Sequence, residues 1–362
     1  MRIAYVINSI EGGGAALPVP MIVHFLQSEG AEVIVLALTR RDGRAGPAIE
    51  AAGARLIVRE GGEKDHGAAG RWLDAQVRAL QPTHIWTSLT RATLFGQIVG
   101  RMRGVPVVSW QHAAYLKPWN RRLLRLLQPL SRLWIGDSES VTALTRDRLG
   151  VPDDRLICWP IFRADPSAPV AAPWQPGEPV RVGSLGRLHP VKGYAELIEA
   201  LALMPPADVP FEVTVAGEGG ERAALEALGG GKGVRIALPG YVDHPRAWLA
   251  TQHLYVQPSR SEGLCVGAHE AMQAGLPVLA SAVGELPWSI VDGVTGQTVP
   301  PRDPAALATA LHSLLSRPER LADMGRAGRE RLLERFSAER FEQVGRQIVV
   351  RMRAMNFNPR SP

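Results

Sequence analysis

Apolar residues along the chain fall into short continuous runs, separated by longer stretches in which they recur every three or four positions. The first pattern predicts buried strands and the second predicts helices packed on them. Runs at 2–8, 32–38, 55–58, 84–88, 105–110, 133–136 and 156–159 form one series. Runs at 180–185, 211–216, 234–238, 254–257 and 277–280 form a second. Strands alternating with helices in this way predict an α/β fold, with parallel sheets covered by helices. Between the two series the sequence ADPSAPVAAPWQPGEP has no periodicity and is rich in Pro and Ala. It predicts a linker over 166–179, between a first domain at 1–165 and a second at 180–336. Beyond Arg302-Asp303-Pro304 the pattern is helical, with a last helix at about 337–355.

Composition narrows this picture. A chain of 362 residues is long enough for two domains of ordinary size. The start, MRIAYVINSI, lacks the long apolar segment of a signal peptide and runs into a glycine loop, so it reads as a first strand. No uncharged apolar run is long enough to span a bilayer. Cys158 and Cys265 lie in separate halves and predict neither a disulfide nor a metal cluster. A cytoplasmic protein is the expectation. Charge is lopsided: residues 1–168 hold 21 Lys/Arg against 15 Asp/Glu, and the remainder holds 20 of each. Nine basic residues and no acidic one lie between Asp74 and Asp137. An anionic partner is implied, whether nucleic acid, anionic lipid or a phosphorylated substrate.

The chemistry concentrates in QPSRSEGLCVGAHEAMQAGLPVLA, residues 257–280, which reads as strand end, polar loop, short helix and new strand. Glu262 and Glu270 stand eight residues apart across the loop-to-helix junction. A helix beginning near Cys265 would aim its free N–H groups into the same crevice. Eight helical residues rise roughly 12 Å, which suits a ligand with hydroxyls at both ends and phosphates between. A nucleotide-sugar has that layout. Arg187 and Lys192, in GSLGRLHPVKG at 183–193, flank a strand-to-helix loop and could neutralise a departing diphosphate. Glu11-Gly12-Gly13-Gly14-Ala15 makes a Rossmann-like turn after the first strand, but Leu17 stands where the dinucleotide fingerprint needs its last glycine. That counts against a nicotinamide enzyme. No Asp-x-Asp pair is present to hold a divalent metal.

These motifs resemble those of the retaining glycosyltransferases of family 4. SEGLCVGAHEAMQAGLPVLAS is similar to the family's E-x7-E signature, and GRLHPVKG to its G-R-L-x-x-x-K-G motif. The resemblance implies a GT-B fold, two Rossmann-like domains facing a central cleft, with the last helix packing back on the first domain. It implies a retaining, metal-independent hexosyl or other glycosyl transfer from a UDP- or GDP-sugar, with no cofactor beyond that donor. Arg187 and Lys192 would hold the diphosphate. Glu262 would meet the transferred sugar, and Glu270 the ribose. Backbone amides of Gly263, Leu264, Cys265 and Val266 would contact sugar and phosphate. Gly217, Tyr241 and Val242 would line the nucleotide side, and Gly13 and Gly14 would meet the donor phosphate and the acceptor. His112, after the fifth strand, would face donor sugar and acceptor. The family commonly has an aromatic residue where Leu264 and Cys265 stand, so the sugar stays open. The histidines at 84, 189 and 269 read as structural or merely exposed. Rival readings are a GT-B sugar-nucleotide epimerase and a non-catalytic nucleotide-binding module.

A second stretch, LKPWNRRLLRLLQPLSRLW at 116–134, interleaves leucines with arginines between two tryptophans. As a helix up to Pro129 it has an apolar side with a cationic rim, able to lie on an anionic membrane. The same leucines could instead pack on the domain's own sheet. Lipid-linked acceptors are common in the family, and the stretch lies in the acid-free region. The expectation is therefore a peripheral protein on the cytoplasmic face of the inner membrane. It would build surface polysaccharide or lipopolysaccharide on a glycan or lipid-linked acceptor. No nucleic-acid motif accompanies the charge.

Overall fold

The computed structural model describes residues 1–12, 16, 18–112 and 116–355. It divides into two compact units: Met1–Ile161 with the chain from Glu339 onward, and Phe162–Ala338. The crossing point is Ile161/Phe162, and residues 166–179 belong to the second unit rather than forming a free connector. Hydrogen bonds explain this. Ala164 N–H donates to Phe336 O, Asp165 N–H to Gln273 Oε1 and Ala171 N–H to Ala274 O, so the aperiodic segment is strapped along that unit.

The first unit holds seven strands: β1 Arg2–Ile7, β2 Glu32–Ala37, β3 Arg55–Val58, β4 His84–Ser88, β5 Val107–Gln111, β6 Leu133–Gly136 and β7 Leu156–Cys158. Their order is β3-β2-β1-β4-β5-β6-β7, with every pair parallel. Parallel sheets are covered on both faces, which is why these strands read as continuous apolar runs. β1 shows both faces at once. Ile3, Tyr5 and Ile7 enter one core, and Ala4 and Val6 enter the other. Helix Ala338–Arg353 covers the first face with Phe341, Ile348, Val349 and Met352. Trp159 Nε1–H donates to Phe341 O at 2.9 Å, and His84 Nε2 meets Met352 O at 2.8 Å. Gly345 lets this helix close on the aromatic cluster, since a Cβ there would stand 2.5 Å from Phe25.

The second unit holds β8 Val180–Leu185, β9 Phe211–Ala216, β10 Ala237–Gly240, β11 Leu254–Gln257, β12 Val278–Ser281 and β13 Gly296–Val299. Their order is β10-β9-β8-β11-β12-β13, again all parallel. Chain order reverses between β8 and β11, and in such sheets ligands bind beyond the carboxyl ends of the strands at that switch. β13, GQTV, escaped the pattern reading because only one of its residues is strongly apolar. It exists through its four register pairs with β12.

In the 116–134 stretch, helix Pro118–Leu127 is followed by a 3-10 turn at Gln128–Leu130 and by β6. Its apolar side is divided. Leu124 is buried with Trp134, Leu149, Val151 and Leu156, whereas Trp119 is 65% and Leu126 73% exposed. Trp119 and Leu126, seven residues apart, share a helix face that Arg122 and Arg125 flank, and both arginines are exposed. Helix Thr90–Arg103 packs beside it and exposes Ile98 and Met102. Among the described residues no helix is long and apolar enough to cross a membrane.

Candidate functional site

At the switch point of the second sheet, β8 leads into Gly186-Arg187-Leu188 and β11 into the loop 258–265. His189 Nδ1 accepts from Val191 N–H and closes a 3-10 turn over Pro190–Lys192. The turn ends on Gly193, at φ +70°, a left-handed conformation that glycine adopts without penalty. A Cβ there would lie 1.9 Å from Pro258 O, so only glycine lets this turn press against the loop after β11. Arg260 N–H then donates to Val191 O at 2.8 Å, and the Arg260 guanidinium pairs with Glu196. The result joins two motifs seventy residues apart: Lys192 Nζ lies 2.8 Å from Glu262 Oε1, both side chains largely buried.

Glu262 Oε1 also accepts from Ser259 Oγ–H at 2.6 Å and from Gln257 Nε2–H at 3.4 Å. Gln257 Nε2–H reaches Ser259 Oγ at 2.7 Å, and Tyr255 O–H donates to Gln257 Oε1 at 2.8 Å. Tyr255, Gln257 and Ser259 alternate along β11 and its continuation, so all three face the same side. Burial works to lower the Lys192 ammonium, but its neighbours prevail and its pKa is raised. Cys265 lies close by, yet burial pushes its thiol far up and keeps it protonated. The charge sustaining Lys192 is therefore the Glu262 carboxylate.

Cys265 is the residue before helix Val266–Gln273 and stands in the left-handed region at φ 63°. No side-chain oxygen caps this helix; the Ala268 N–H faces the Cys265 thiol and the His269 N–H takes Cys265 O, which leaves the N–H groups of Val266 and Gly267 for a ligand. The side chains of Leu264 and Cys265 are buried, and only their backbone can serve the site. The loop is fixed from behind. Glu285 N–H donates to Gly263 O at 2.9 Å, and a Cβ on Gly284 (φ +58°) would stand 2.3 Å from the same oxygen. Glu285 itself is buried against Arg335 at 2.8 Å. Val266 is partly exposed. Glu270, one turn further along the helix, is half-buried, and its carboxylate accepts no hydrogen bond among the described residues. Burial raises its pKa, with Arg246 pulling the other way. A half-dehydrated carboxylate with vacant lone pairs is suited to a ligand's hydroxyls.

The remaining expected residues are placed as follows. Arg187 is exposed, with no hydrogen bond or ion pair among the described residues. Gly217 N–H donates to Gly240 O at 2.7 Å, joining the turns after β9 and β10 at the sheet's carboxyl edge. Tyr241 there is 74% exposed and Val242 is half-buried. His112 lies in the first unit, where Nε2 is 2.6 Å from Ser88 Oγ and Nδ1 is 3.4 Å from Asp137 Oδ2. Burial raises the pKa of Asp137. Gly13 and Gly14 lie outside the described residues. Among the described residues no group of three or more His, Cys, Asp or Glu is placed to hold a metal ion. Sequence reasoning missed Tyr255, Gln257, Ser259 and Asp137. The Tyr-x-Gln-x-Ser alternation was a usable signal for the first three, being a polar stripe on an otherwise apolar strand.

Two family models match the chain, one described as Glycosyltransferase Family 4 over residues 12–162 and one as Glycosyl transferases group 1 over 172–331. A D-inositol 3-phosphate glycosyltransferase of Frankia alni is 32% identical over 273 residues, 65% of this chain and 65% of that protein. An alpha-maltose-1-phosphate synthase of Mycolicibacterium smegmatis is 28% identical, over 76% of this chain and 80% of its own. The chain thus spans just under two thirds of the first of these relatives. Among solved structures, Anabaena Alr3699/HepE in complex with UDP-glucose shares the fold at a TM-score of 0.80. It is 19% identical, with 97% of this chain and 99% of that one covered.

His269, on the helix that follows this loop, has a structural role. His269 is fully buried, its Nδ1–H donating to Cys265 O at 2.9 Å while Nε2 accepts from Ser289 Oγ at 2.8 Å. Burial lowers its pKa to about 4. The unfolded chain takes up this proton near pH 6.5 and the folded one near pH 4, so His269 makes stability fall as pH drops across that window. His269→Gln should flatten the decline in unfolding free energy between pH 6.5 and pH 4, by up to about 3 kcal/mol. Denaturant titrations at several pH values measure this; an unchanged slope contradicts it.

Proposed function

The chain belongs to the family 4 glycosyltransferases, with their GT-B fold, and from that premise we propose what it transfers and how. The reading is a retaining, metal-independent transfer of a hexosyl group from a nucleotide-diphosphate sugar to a glycan or lipid-linked acceptor, in surface polysaccharide or lipopolysaccharide synthesis. The observation that carries it is the meeting of Lys192 and Glu262 at the sheet's switch point, with Glu270 eight residues further on. Breaking a sugar–phosphate bond leaves charge on the diphosphate. Lys192, Arg187 and the open N–H groups ahead of Val266 are cationic or partly positive groups suited to receive it. Glu262 then takes the sugar's hydroxyls and Glu270 those of the ribose. Charge at the anomeric carbon develops as an oxocarbenium-like cation, and a donor phosphate oxygen takes the acceptor's proton. UDP is the favoured nucleotide, supported by the UDP-glucose complex of the Anabaena protein that shares this fold. The names of the two curated relatives favour a second reading for the acceptor, a small phosphorylated polyol or sugar. The excess positive charge of residues 1–168 suits either a phosphorylated acceptor or an anionic lipid surface.

The exposed Trp119 and Leu126, set among Arg121, Arg122 and Arg125, support peripheral binding to an anionic membrane. That surface would bring a lipid-linked acceptor to the enzyme, on the cytoplasmic face of the inner membrane.

Glu262→Ala and Lys192→Ala should each lower transfer from UDP-glucose, or from whichever nucleotide-sugar most raises the wild-type melting temperature, by about a hundredfold or more. Circular dichroism should show both folded, and near-normal turnover in either removes that residue from the site. For the membrane surface, the protein should sediment with anionic vesicles at moderate salt, and replacing Arg121, Arg122 and Arg125 with Gln should release it. Wild-type protein that stays in the supernatant contradicts the membrane reading.

A further inference from the structure

The two oxygens of Glu262 are treated unequally. Oε1 takes Lys192 Nζ, Ser259 Oγ and Gln257 Nε2, at 2.8, 2.6 and 3.4 Å. Oε2 takes no nitrogen or oxygen donor among the described residues, and the protonated Cys265 thiol is the one further hydrogen-bonding neighbour of the carboxylate among them. Leu185 N–H donates to Tyr255 Oη at 3.2 Å, and the Tyr255 O–H has two acceptors, Gln257 Oε1 at 2.8 Å and Leu185 O at 3.2 Å. With the phenol proton on the shorter of these two contacts, Gln257 presents its amide oxygen to Tyr255, because only that oxygen can accept. The Gln257 NH2 group is thereby turned toward Ser259 Oγ, and the Ser259 hydroxyl toward the carboxylate. Tyr255 keeps its proton, since burial raises its pKa well above the ordinary value. Tyr255, Gln257 and Ser259 are all fully buried, so water does not compete for these groups.

This arrangement solves a difficulty in the proposed function. Lys192 is paired to Glu262, yet a diphosphate would draw the same ammonium away. A largely buried carboxylate that lost its only donor would be costly to keep ionised. Ser259 and Gln257 remain in place when Lys192 moves, and hydrogen bonds in a polarised chain strengthen one another. We propose that Tyr255, Gln257 and Ser259 are positioning residues for Glu262: their donor chain holds Oε1, turns Oε2 to the sugar and frees Lys192 for the diphosphate. This rests on the nucleotide-sugar reading above. It also separates the two halves of donor recognition. Lys192 answers to the diphosphate, and the buried chain answers, through Glu262, to the sugar.

The test compares Ser259→Ala, Gln257→Leu and Tyr255→Phe with wild type, using UDP as one probe and UDP-glucose, or the GDP- or ADP-sugar that the wild type turns over, as the other. Calorimetry gives the affinity for the nucleoside diphosphate alone, and steady-state turnover gives kcat/KM for the sugar donor. Ser259→Ala should keep the diphosphate affinity within about twofold while kcat/KM falls roughly tenfold to a hundredfold, the loss of a hydrogen bond to a charged group. Gln257→Leu and Tyr255→Phe should show the same split with smaller losses. Wild-type kcat/KM in Ser259→Ala overturns the proposal. So does an equal loss of both quantities in all three variants, which would mark the chain as merely structural. A wild type that binds and turns over no nucleotide-sugar overturns the functional reading instead, and this proposal with it.

Discussion

The ion pair between Lys192 and Glu262 is the contact on which the second unit is arranged. Neither residue can reach the other from its own strand. β8 and β11 must be neighbours, and their loops must be pressed together. The sheet order supplies the first condition. Two glycines supply the second from opposite sides: Gly193 lets the Lys192 turn close on Pro258, and Gly284 lets the next loop close on Gly263. A Cβ at either position would meet a backbone carbonyl oxygen, at 1.9 Å from Gly193 and 2.3 Å from Gly284, and push the loop away. Exposed ion pairs contribute little to stability. This one is largely buried and shares its carboxylate with two further donors, so its worth lies in fixing geometry rather than in net stability.

The same economy governs the carboxyl edge of that sheet. Backbone hydrogen bonds join the turns at the strand ends there, beside the side-chain pairs already described: Gly217 N–H on Gly240 O, Arg260 N–H on Val191 O, Glu285 N–H on Gly263 O. Side chains are left free for a ligand, and Arg187, Tyr241 and Glu270 remain without hydrogen-bond partners among the described residues. His269 and Cys265 are turned inward and serve the loop's packing instead.

Much of the fold was legible because parallel strands buried on both faces must be apolar along their whole length. The α/β class and two sheets followed from that signal alone. β13 was not legible, since Gly-Gln-Thr-Val carries too little apolar character and depends on β12 for its existence. β10 was expected at 234–238 but forms at Ala237–Gly240, where a register irregularity lets Gly240 reach Ala216. The segment 166–179 had the composition of a linker, yet its backbone groups find partners on one unit, something composition does not encode. Glu262, Glu270, Arg187 and Lys192 were picked out by the resemblance of their two motifs to those of the family. Gln257, Ser259 and Tyr255 were passed over although their alternation was there to read, because the partners that give it meaning are set by the fold. The helix at Pro118–Leu127 shows the limit in another way. Its pattern allowed inward or outward leucines, and packing chose both, Leu124 in and Leu126 out.

A crystal structure with a bound nucleotide-sugar tests the central claim most directly. The account predicts the diphosphate between Lys192 and the first turn of helix Val266–Gln273, the sugar on Glu262 Oε2 and the ribose on Glu270. A nucleotide bound away from the switch point between β8 and β11 would contradict it. So would phosphates carried by a divalent ion while Lys192 stayed on Glu262.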